Sequence, residues 1–462
     1  METGIDFTGK HVLVMGLGVH GGGVGVAKFL AHHGARVTVT DTKSADDLAV
    51  SLKALEGLDI EYVLGVHRET DVLNSDMLVR NPAVPREHPL LQLAAAHGIP
   101  VEMEISLFCR LCPAPITGIT GTKGKTTTAL LTGAMLAEMD PRTVVAGNMR
   151  VSALDTLERI DASTPVVLEI SSWQCEGLAS IGFSPHLAAI TNLYPDHLNR
   201  YADMFEYAAA KALIFTNQKP ADWLVLNADQ KSAREFAANA PGHVMWFSRT
   251  QRIEGTYLLD DDIVQQSGQQ TTMIASRKDV QLLGDHNIEN VLAAASLSLL
   301  AGVAPEQIRA ALKAFAPVPH RLELIRELNG VRYVNDTTST APAATIAALK
   351  AIGANIILII GGADKGLDFE ALGRSASMRA KHIVMLDGEA YYRLDDMIRY
   401  GGGGGKIAGR FYSLEDAVYK SYQLAQPGDT VLLSPGCASF GLFKNEFERG
   451  EQFREIVNGL ST

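Results

Sequence analysis

Cysteine is scarce, with four in 462 residues. That excludes a disulfide framework, and a lone Cys109-x-x-Cys112 without a second pair reads as incidental, against metal or redox use. No apolar stretch approaches the ~20 residues of a membrane span. The apolar run His11–Met15 enters a glycine turn instead of a cleavage site, so a reducing cytoplasm and no membrane partner are expected. An excess of positive charge is also missing: a net charge of -11 argues against a general nucleic-acid binder, whose footprint would be basic. An anionic substrate would therefore need a local basic site. What remains, 47% hydrophobic and 20% charged, fits a globular protein, and the length fits about three domains.

Residues 116–128 read ITGITGTKGKTTT. The short apolar run Ile116–Thr120 suits a buried strand, Gly121 and Gly124 free a turn, and residues 126–138, rich in Ala and Leu, read as a helix. Strand, glycine loop and helix make a phosphate cradle. Backbone N–H groups of Gly121, Thr122, Lys123 and Gly124 and the helix N-terminus at Thr126 and Thr127 would face an anion. Lys125 would reach the terminal phosphates, and the Thr126 hydroxyl would ligate Mg²⁺. The loop is a variant of G-x-x-x-x-G-K-S/T, because Ile119 stands five residues before Gly124, with glycines at 118 and 121 instead. ATP or a similar triphosphate is the expected ligand, and an ordinary tight turn containing Gly-Lys-Thr is the alternative.

Before this loop, a strand at His11–Met15 leads into Gly16-Leu-Gly18-Val-His-Gly21 and a helix to about residue 32. A second strand, 36–40, ends at Asp41, about where a dinucleotide fold places its ribose-binding acid. Taken alone this suggests NAD, yet the glycines demand only a tight turn and close approach to a diphosphate. Asn81-Pro-Ala-Val-Pro85 is a loop after the strand 77–79, and Pro113 to Pro115 mark the first boundary.

Beyond the cradle, strands and helices alternate, so a second parallel sheet is expected. Glu169 stands near the C-terminal end of a buried strand at 166–170, where open α/β sheets place ligands and a carboxylate would serve Mg²⁺. His197 follows the strand 187–193 on a loop; an isolated histidine there is more often structural. Lys211, among alanines in a helix at 203–215, reads by default as a solvated surface lysine. Asp285-His-Asn287 and Asn290 open another helix, as caps or as base contacts.

Gly121-Thr-Lys-Gly-Lys-Thr126, Leu168-Glu-Ile-Ser-Ser-Trp-Gln174, Asp196-His197 with Leu-Asn-Arg-Tyr after it, Lys211, His286-Asn287, Pro319-His-Arg321 and Asn335-Asp336 occur in this order. This ordered set resembles the Mur ligase family over nearly the whole chain. Within it, Ser434-Pro-Gly-Cys-Ala-Ser439 and Phe443-Lys-Asn445 are most similar to the glutamate-adding branch of peptidoglycan synthesis. The resemblance implies an α/β protein of three domains. These are a Rossmann-like UDP-binding domain at 1–113, a central P-loop ATPase-type domain with a parallel sheet at 114–317, and a Rossmann-like amino-acid domain at 318–462. It implies ATP, two Mg²⁺ ions and a carbamate on Lys211 from CO₂, with Glu169, His197 and Thr126 as further metal ligands and Asn148 in the active site. His286, Asn287, Asn290, Arg321 and Asp336 would hold the nucleotide. Gly18, Val19, His20, Asp41, Thr42, Lys43 and Asn81 would hold UDP, making NAD the false positive. Thr340, Lys365, Ser439 and Phe447 would hold glutamate. The partners implied are UDP-N-acetylmuramoyl-L-alanine and glutamate, D-glutamate by the family's majority and L-glutamate as the alternative, and a monomer is expected.

The third segment has candidate strands at 331–334, 356–360, 382–386 and 430–434, and the run 401–405 of five glycines is expected to be a mobile surface loop. Three departures from the family pattern stand out. Thr338 occupies the place of a usual lysine, the usual Phe-Glu after Lys-Asn is reversed as Glu446-Phe447, and Met149-Arg150 replace a common Ile-Gly pair. Two other functions compete. A folate polyglutamate synthetase shares the central motifs, but its nucleotide loop lies near the N-terminus without a preceding UDP-type domain. An ATP-switched binding protein would keep the loop without needing Glu169, His197 and Lys211.

Overall fold

The computed structural model describes residues 5–18, 21–149, 152–197, 200–316 and 319–461. The chain is an α/β protein built on three sheets and divides into two compact units, Met1–Asp279 with Glu289–Ala314, and Val280–Ile288 with Phe315–Thr462.

The first unit holds two sheets. One has five parallel strands: β1 His11–Met15, β2 Arg36–Asp41, β3 Ile60–Leu64, β4 Met77–Arg80 and β5 Val101–Glu102, in the order β3-β2-β1-β4-β5. The order reverses between β1 and β4, and such a switch point opens a crevice at the strands' C-terminal ends. The other sheet has nine strands: β6 Ile116–Thr120, β7 Val144–Gly147, β8 Val166–Glu169, β9 Leu187–Ile190, β10 Trp223–Asn227, β11 His243–Ser248, β12 Gly255–Leu259, β13 Asp262–Ser267 and β14 Gln270–Ser276. Their order is β14-β13-β12-β11-β10-β9-β6-β8-β7. The expected parallel arrangement holds from β7 to β12 and then changes, since β12, β13 and β14 are joined by tight turns and pair antiparallel. Short connections permit only that direction.

The central strands of both sheets, β1, β4, β6, β8 and β9, are buried on both faces, which is why they read as apolar runs and not as alternating ones. One continuous core runs from Val12, Val14, Val37 and Val39 of the first sheet, through Phe108 and Ile105, to Ile116, Leu168 and Ile190 of the second. Gly118 makes room in β6, where a Cβ would lie 2.5 Å from the Pro185 ring.

The second unit carries six strands: β15 Glu323–Leu328, β16 Val331–Asn335, β17 Ile356–Gly361, β18 Ala380–Leu386, β19 Ile407–Phe411 and β20 Thr430–Leu433. Their order is β15-β16-β20-β17-β18-β19, parallel except for β15, which pairs antiparallel with β16. β15 and β19 escape the sequence patterns because their faces are only partly buried. The glycine run is anchored where a mobile loop was expected. Gly401, Gly402 and Gly403 close the helix Tyr391–Tyr400 through N–H bonds to Met397, Arg399 and Ile398, and Gly404–Lys406 is a 3-10 turn. Among the described residues no helix is long and apolar enough to cross a membrane.

Candidate active site

The phosphate cradle forms as its residues dictate. β6 ends at Thr120, the loop turns through Gly121 and Gly124, and the helix Lys125–Ala137 begins. Gly124 sits at φ +84°, in the left-handed region, and a Cβ there would lie 2.1 Å from Asn290 Oδ1. Asn290 is thereby placed against the loop. Asn192, just beyond β9, fixes the loop's crest: its Oδ1 accepts from the Lys123 N–H at 2.8 Å and its Nδ2 donates to the Lys123 carbonyl at 3.0 Å. Lys123 Nζ pairs with Asp196 at 3.0 Å. Thr122, Thr127 and Thr128 are buried, while Lys125 and Thr126 are half-buried at the helix N-terminus.

Lys125 folds back over the loop and donates to the carbonyls of Gly121 at 3.1 Å and Thr122 at 3.2 Å. Lys211 Nζ donates to the same Gly121 carbonyl at 2.8 Å. The default of a solvated lysine is therefore overturned, since Lys211 is 1% exposed. The helix Met204–Ala212 turns this face inward, with Tyr207, one turn earlier, lying 4.6 Å from the ammonium at its ring centre. Burial, reinforced by the Lys125 charge, pushes the Lys211 pKa down to about 7, because low dielectric disfavours the ammonium.

Glu169 ends β8, buried, and Asn148 is tied to it twice. The Asn148 N–H donates to the Glu169 carbonyl at 2.9 Å and its Nδ2 to Oε1 at 3.2 Å. Oε2 of Glu169 is buried with no hydrogen-bond partner. An uncompensated buried carboxylate oxygen is costly, and a hard cation is the natural ligand for it. His197 sits at φ 55°, its ring between Trp173 at 5.5 Å and Tyr207 at 5.9 Å. Desolvation, helped by the charges of Lys211, Lys125 and Lys123, holds it below the usual histidine range, so it can offer a neutral nitrogen. Among the described residues no group of three His, Cys, Asp or Glu side chains could hold a metal. The donors present fit Mg²⁺, which takes one or two carboxylates and completes its shell with phosphate oxygens and water.

At the C-terminal ends of the first sheet, Asp41 accepts from the N–H groups of Gly18 and Lys43, both at 3.0 Å. Gly16 has φ +90°, and a Cβ there would lie 2.8 Å from Asn81 Cβ. Gly18, Asp41, Lys43 and Asn81 therefore surround one crevice mouth, with Thr42 exposed beside them. Val19 and His20 lie outside the described residues, as does Arg150.

In the second unit, Arg321 acts electrostatically on both His286 and Asp336. Asp336 is buried, accepting from Ser339 at 2.5 Å and Ser434 at 2.7 Å, and burial pushes its pKa up to about 6. Asn287, buried near the start of its helix, donates through Nδ2 to the Leu283 carbonyl at 2.8 Å. The ends of β16, β17 and β20 converge: Gly436 N–H donates to the Ser339 carbonyl at 2.8 Å, and Ala363 and Ala438 exchange two backbone bonds. This joins the segments of Thr340, Lys365 and Ser439. Lys365, exposed, lies 3.4 Å from Thr340 Oγ1, and Ser439 is buried. Phe447 packs edge-on against His320 at 5.5 Å, and Thr338, at the usual lysine position, pins the His320 carbonyl at 2.9 Å.

Three residues of this architecture escape the sequence patterns. Tyr207 could have been found from its i, i+4 spacing to Lys211. Asn192 carries the weaker signal of a polar residue at a strand end. Arg449 carries none: it lies in a helix of mixed charge, yet it is fully buried, donating to Thr337 Oγ1 and O, both at 2.9 Å, and to Ala438 O at 3.5 Å.

Three family models match the chain. They are the MurD-like N-terminal domain of Mur ligases over residues 10–102, the Mur ligase middle domain over 119–298, and the Mur ligase glutamate ligase domain over 320–437. The UDP-N-acetylmuramoylalanine–D-glutamate ligase of Roseiflexus sp. (strain RS-1) is 50% identical, covering 99% of this chain and 100% of its own. The enzyme of the same name from Symbiobacterium thermophilum is 38% identical, covering 98% of each. Among solved structures, the UDP-N-acetylmuramate-alanine ligase of Thermotoga maritima shares the fold with a TM-score of 0.62 at 19% identity, covering 97% of this chain and 99% of that one. A pseudomurein peptide ligase type C from Methanothermus fervidus does so with a TM-score of 0.60 at 17% identity, covering 98% and 100%.

Proposed function

The chain belongs to the Mur ligase family, and from that premise we propose that it joins D-glutamate to UDP-N-acetylmuramoyl-L-alanine at the expense of ATP, in the cytoplasm, for peptidoglycan synthesis. The observation that carries the proposal is the phosphate loop gripped by Lys125 and Lys211, within a chain half identical along its length to a D-glutamate-adding relative. Domains at 1–113, 114–317 and 318–462 would then bind UDP, ATP and the amino acid.

The alanine carboxylate attacks the γ-phosphorus of ATP, ADP leaves, and an acyl phosphate forms. The glutamate amine adds to that carbonyl and loses a proton, phosphate departs, and an amide remains. Such phosphoryl transfer is catalysed chiefly by positioning and by charge neutralisation. Lys125, released from the carbonyls it holds, supplies one cation to the terminal phosphates. Thr126, Glu169, His197 and Lys211 would hold two Mg²⁺ ions, which neutralise charge on the transferring group. A Lys211 amine with a pKa near 7 is partly neutral at physiological pH, the form that adds CO₂ to give a carbamate, and carbamylation converts a buried cation into a carboxylate-like ligand. Asn148 holds Glu169 in place. His286, Asn287, Asn290, Arg321 and Asp336 serve the nucleotide. Lys365 pairs with the distal carboxylate of glutamate, while Thr340 and Ser439 offer hydroxyls. Phe447, turned onto His320, leaves Glu446 where the family keeps its aromatic residue.

Phosphate release from ATP, UDP-N-acetylmuramoyl-L-alanine and single amino acids tests the proposal. D-glutamate is expected to support turnover and L-glutamate not. Turnover with L-glutamate alone would reverse the stereochemical assignment, and turnover only with lysine or diaminopimelate would remove the role of Lys365.

A further inference from the structure

Glu176 lies on the helix Ser172–Ser180, one turn beyond Trp173, and belongs to none of the groups assigned above. Its Oε2 accepts from Arg80 Nη2 at 2.8 Å, and both side chains are only 7% exposed. The same oxygen lies 3.7 Å from Arg200 Nη2, whose guanidinium carbon stands 6.0 Å from the centre of the Trp173 ring. Arg80 spends a second nitrogen on the Val84 carbonyl at 2.7 Å. One buried carboxylate thus gathers two guanidiniums that arrive from different parts of the first unit. Arg80 ends β4, directly before Asn81 at the mouth of the first sheet. Arg200 follows the His197 turn, to which it returns an N–H bond at 2.9 Å.

Stability does not explain such an arrangement. A buried ion pair contributes little net stability, because desolvating both partners offsets their attraction, and apolar residues of similar volume often do as well or better. What a planar guanidinium with one nitrogen on a carboxylate and the other on a backbone carbonyl, as in Arg80, does provide is a fixed direction and a fixed distance; Arg200 joins it as a looser ion pair, shared at 3.7 Å between Glu176 and Glu87. Here the distance is that between the crevice assigned to UDP and the histidine assigned to the phosphoryl-transfer site.

Resting on the ligase reading above, we propose that Glu176 is a positioning residue: through Arg80 and Arg200 it sets the spacing of the Asn81 loop and the His197 turn, so that a substrate held by its UDP end presents its carboxylate at the ATP loop. The residue touches neither substrate nor nucleotide in this role. Its loss is therefore felt by the long UDP-linked substrate and not by ATP.

Steady-state kinetics on the full-length enzyme tests this with two variants. Glu176→Gln is expected to raise KM for UDP-N-acetylmuramoyl-L-alanine at least tenfold, with KM for ATP within twofold of wild type and kcat reduced. The paired change Arg80→Met with Glu176→Leu removes both charges, and is expected to keep the wild-type melting temperature while KM for the UDP-linked substrate stays raised. A Glu176→Gln enzyme with unchanged KM, or a paired variant whose KM returns to normal, overturns the proposal by reducing the pair to a structural contact. A wild type without UDP-dependent turnover would instead remove the reaction, and this proposal with it.

Discussion

Lys211 shows how far one side chain's meaning depends on what its helix faces. In the sequence it is a lysine among alanines; in the fold it is buried against Tyr207 and the Gly121 carbonyl, with its pKa drawn down to about 7. If it carries a carbamate, Lys211→Ala should lose activity at least a hundredfold, since a ligand of the transferring group's cations disappears. Formate or acetate should restore part of it by supplying the missing oxygens. Full activity in an enzyme whose Lys211 gives no ¹³CO₂ carbamate signal would remove the modification. The same logic explains what stayed illegible. Glu169, Lys125 and Asn290 announce themselves by strand ends, glycine spacing and helix starts, which are local signals. Arg449 does not, because its burial is decided chiefly by Thr337, 112 positions away in sequence, and by Ala438, 11 positions away.

At the level of elements, the strand–loop–helix at 116–137 was readable almost in full, since an apolar run, two glycines and an Ala/Leu-rich stretch each have one local solution. Gly124 is where that solution is least forgiving. At φ +84° any L side chain is strained by roughly 1–2 kcal/mol, and a Cβ there would also collide with Asn290 Oδ1. Gly124→Ala should therefore keep its circular-dichroism spectrum and lose ATP affinity at least tenfold by calorimetry; an unaltered affinity would show that the loop does not close on phosphate. Most parallel strands with both faces buried were legible as apolar runs, but β7 and β10, buried and parallel as well, were not placed. The hairpins β12–β14 and the edge strands β15 and β19 were missed, because half-buried strands lack the continuous apolar run.

Across the whole molecule, the composition excluded what it could, and the order of motifs did the rest. The one global ambiguity was the glycine turn after β1, where geometry alone admits any diphosphate. Asp41 is already engaged by the N–H groups of Gly18 and Lys43, which leaves it less free to grip a ribose in the dinucleotide manner. Calorimetry should give binding of UDP and none of NAD at tenfold higher concentration; the opposite result would reassign the domain. The strand order of the third sheet has a consequence for biogenesis. β20 pairs with both β16 and β17, yet it is synthesised after β17, β18 and β19. Until it emerges from the ribosome, two strands meant to be interior neighbours are left with raw edges facing each other across a gap. Long-range parallel pairing forms slowly, and exposed strand edges invite foreign partners. The C-terminal unit is therefore expected to need shielding until β20 is made, its unpaired strand edges offering a place where aggregation can start.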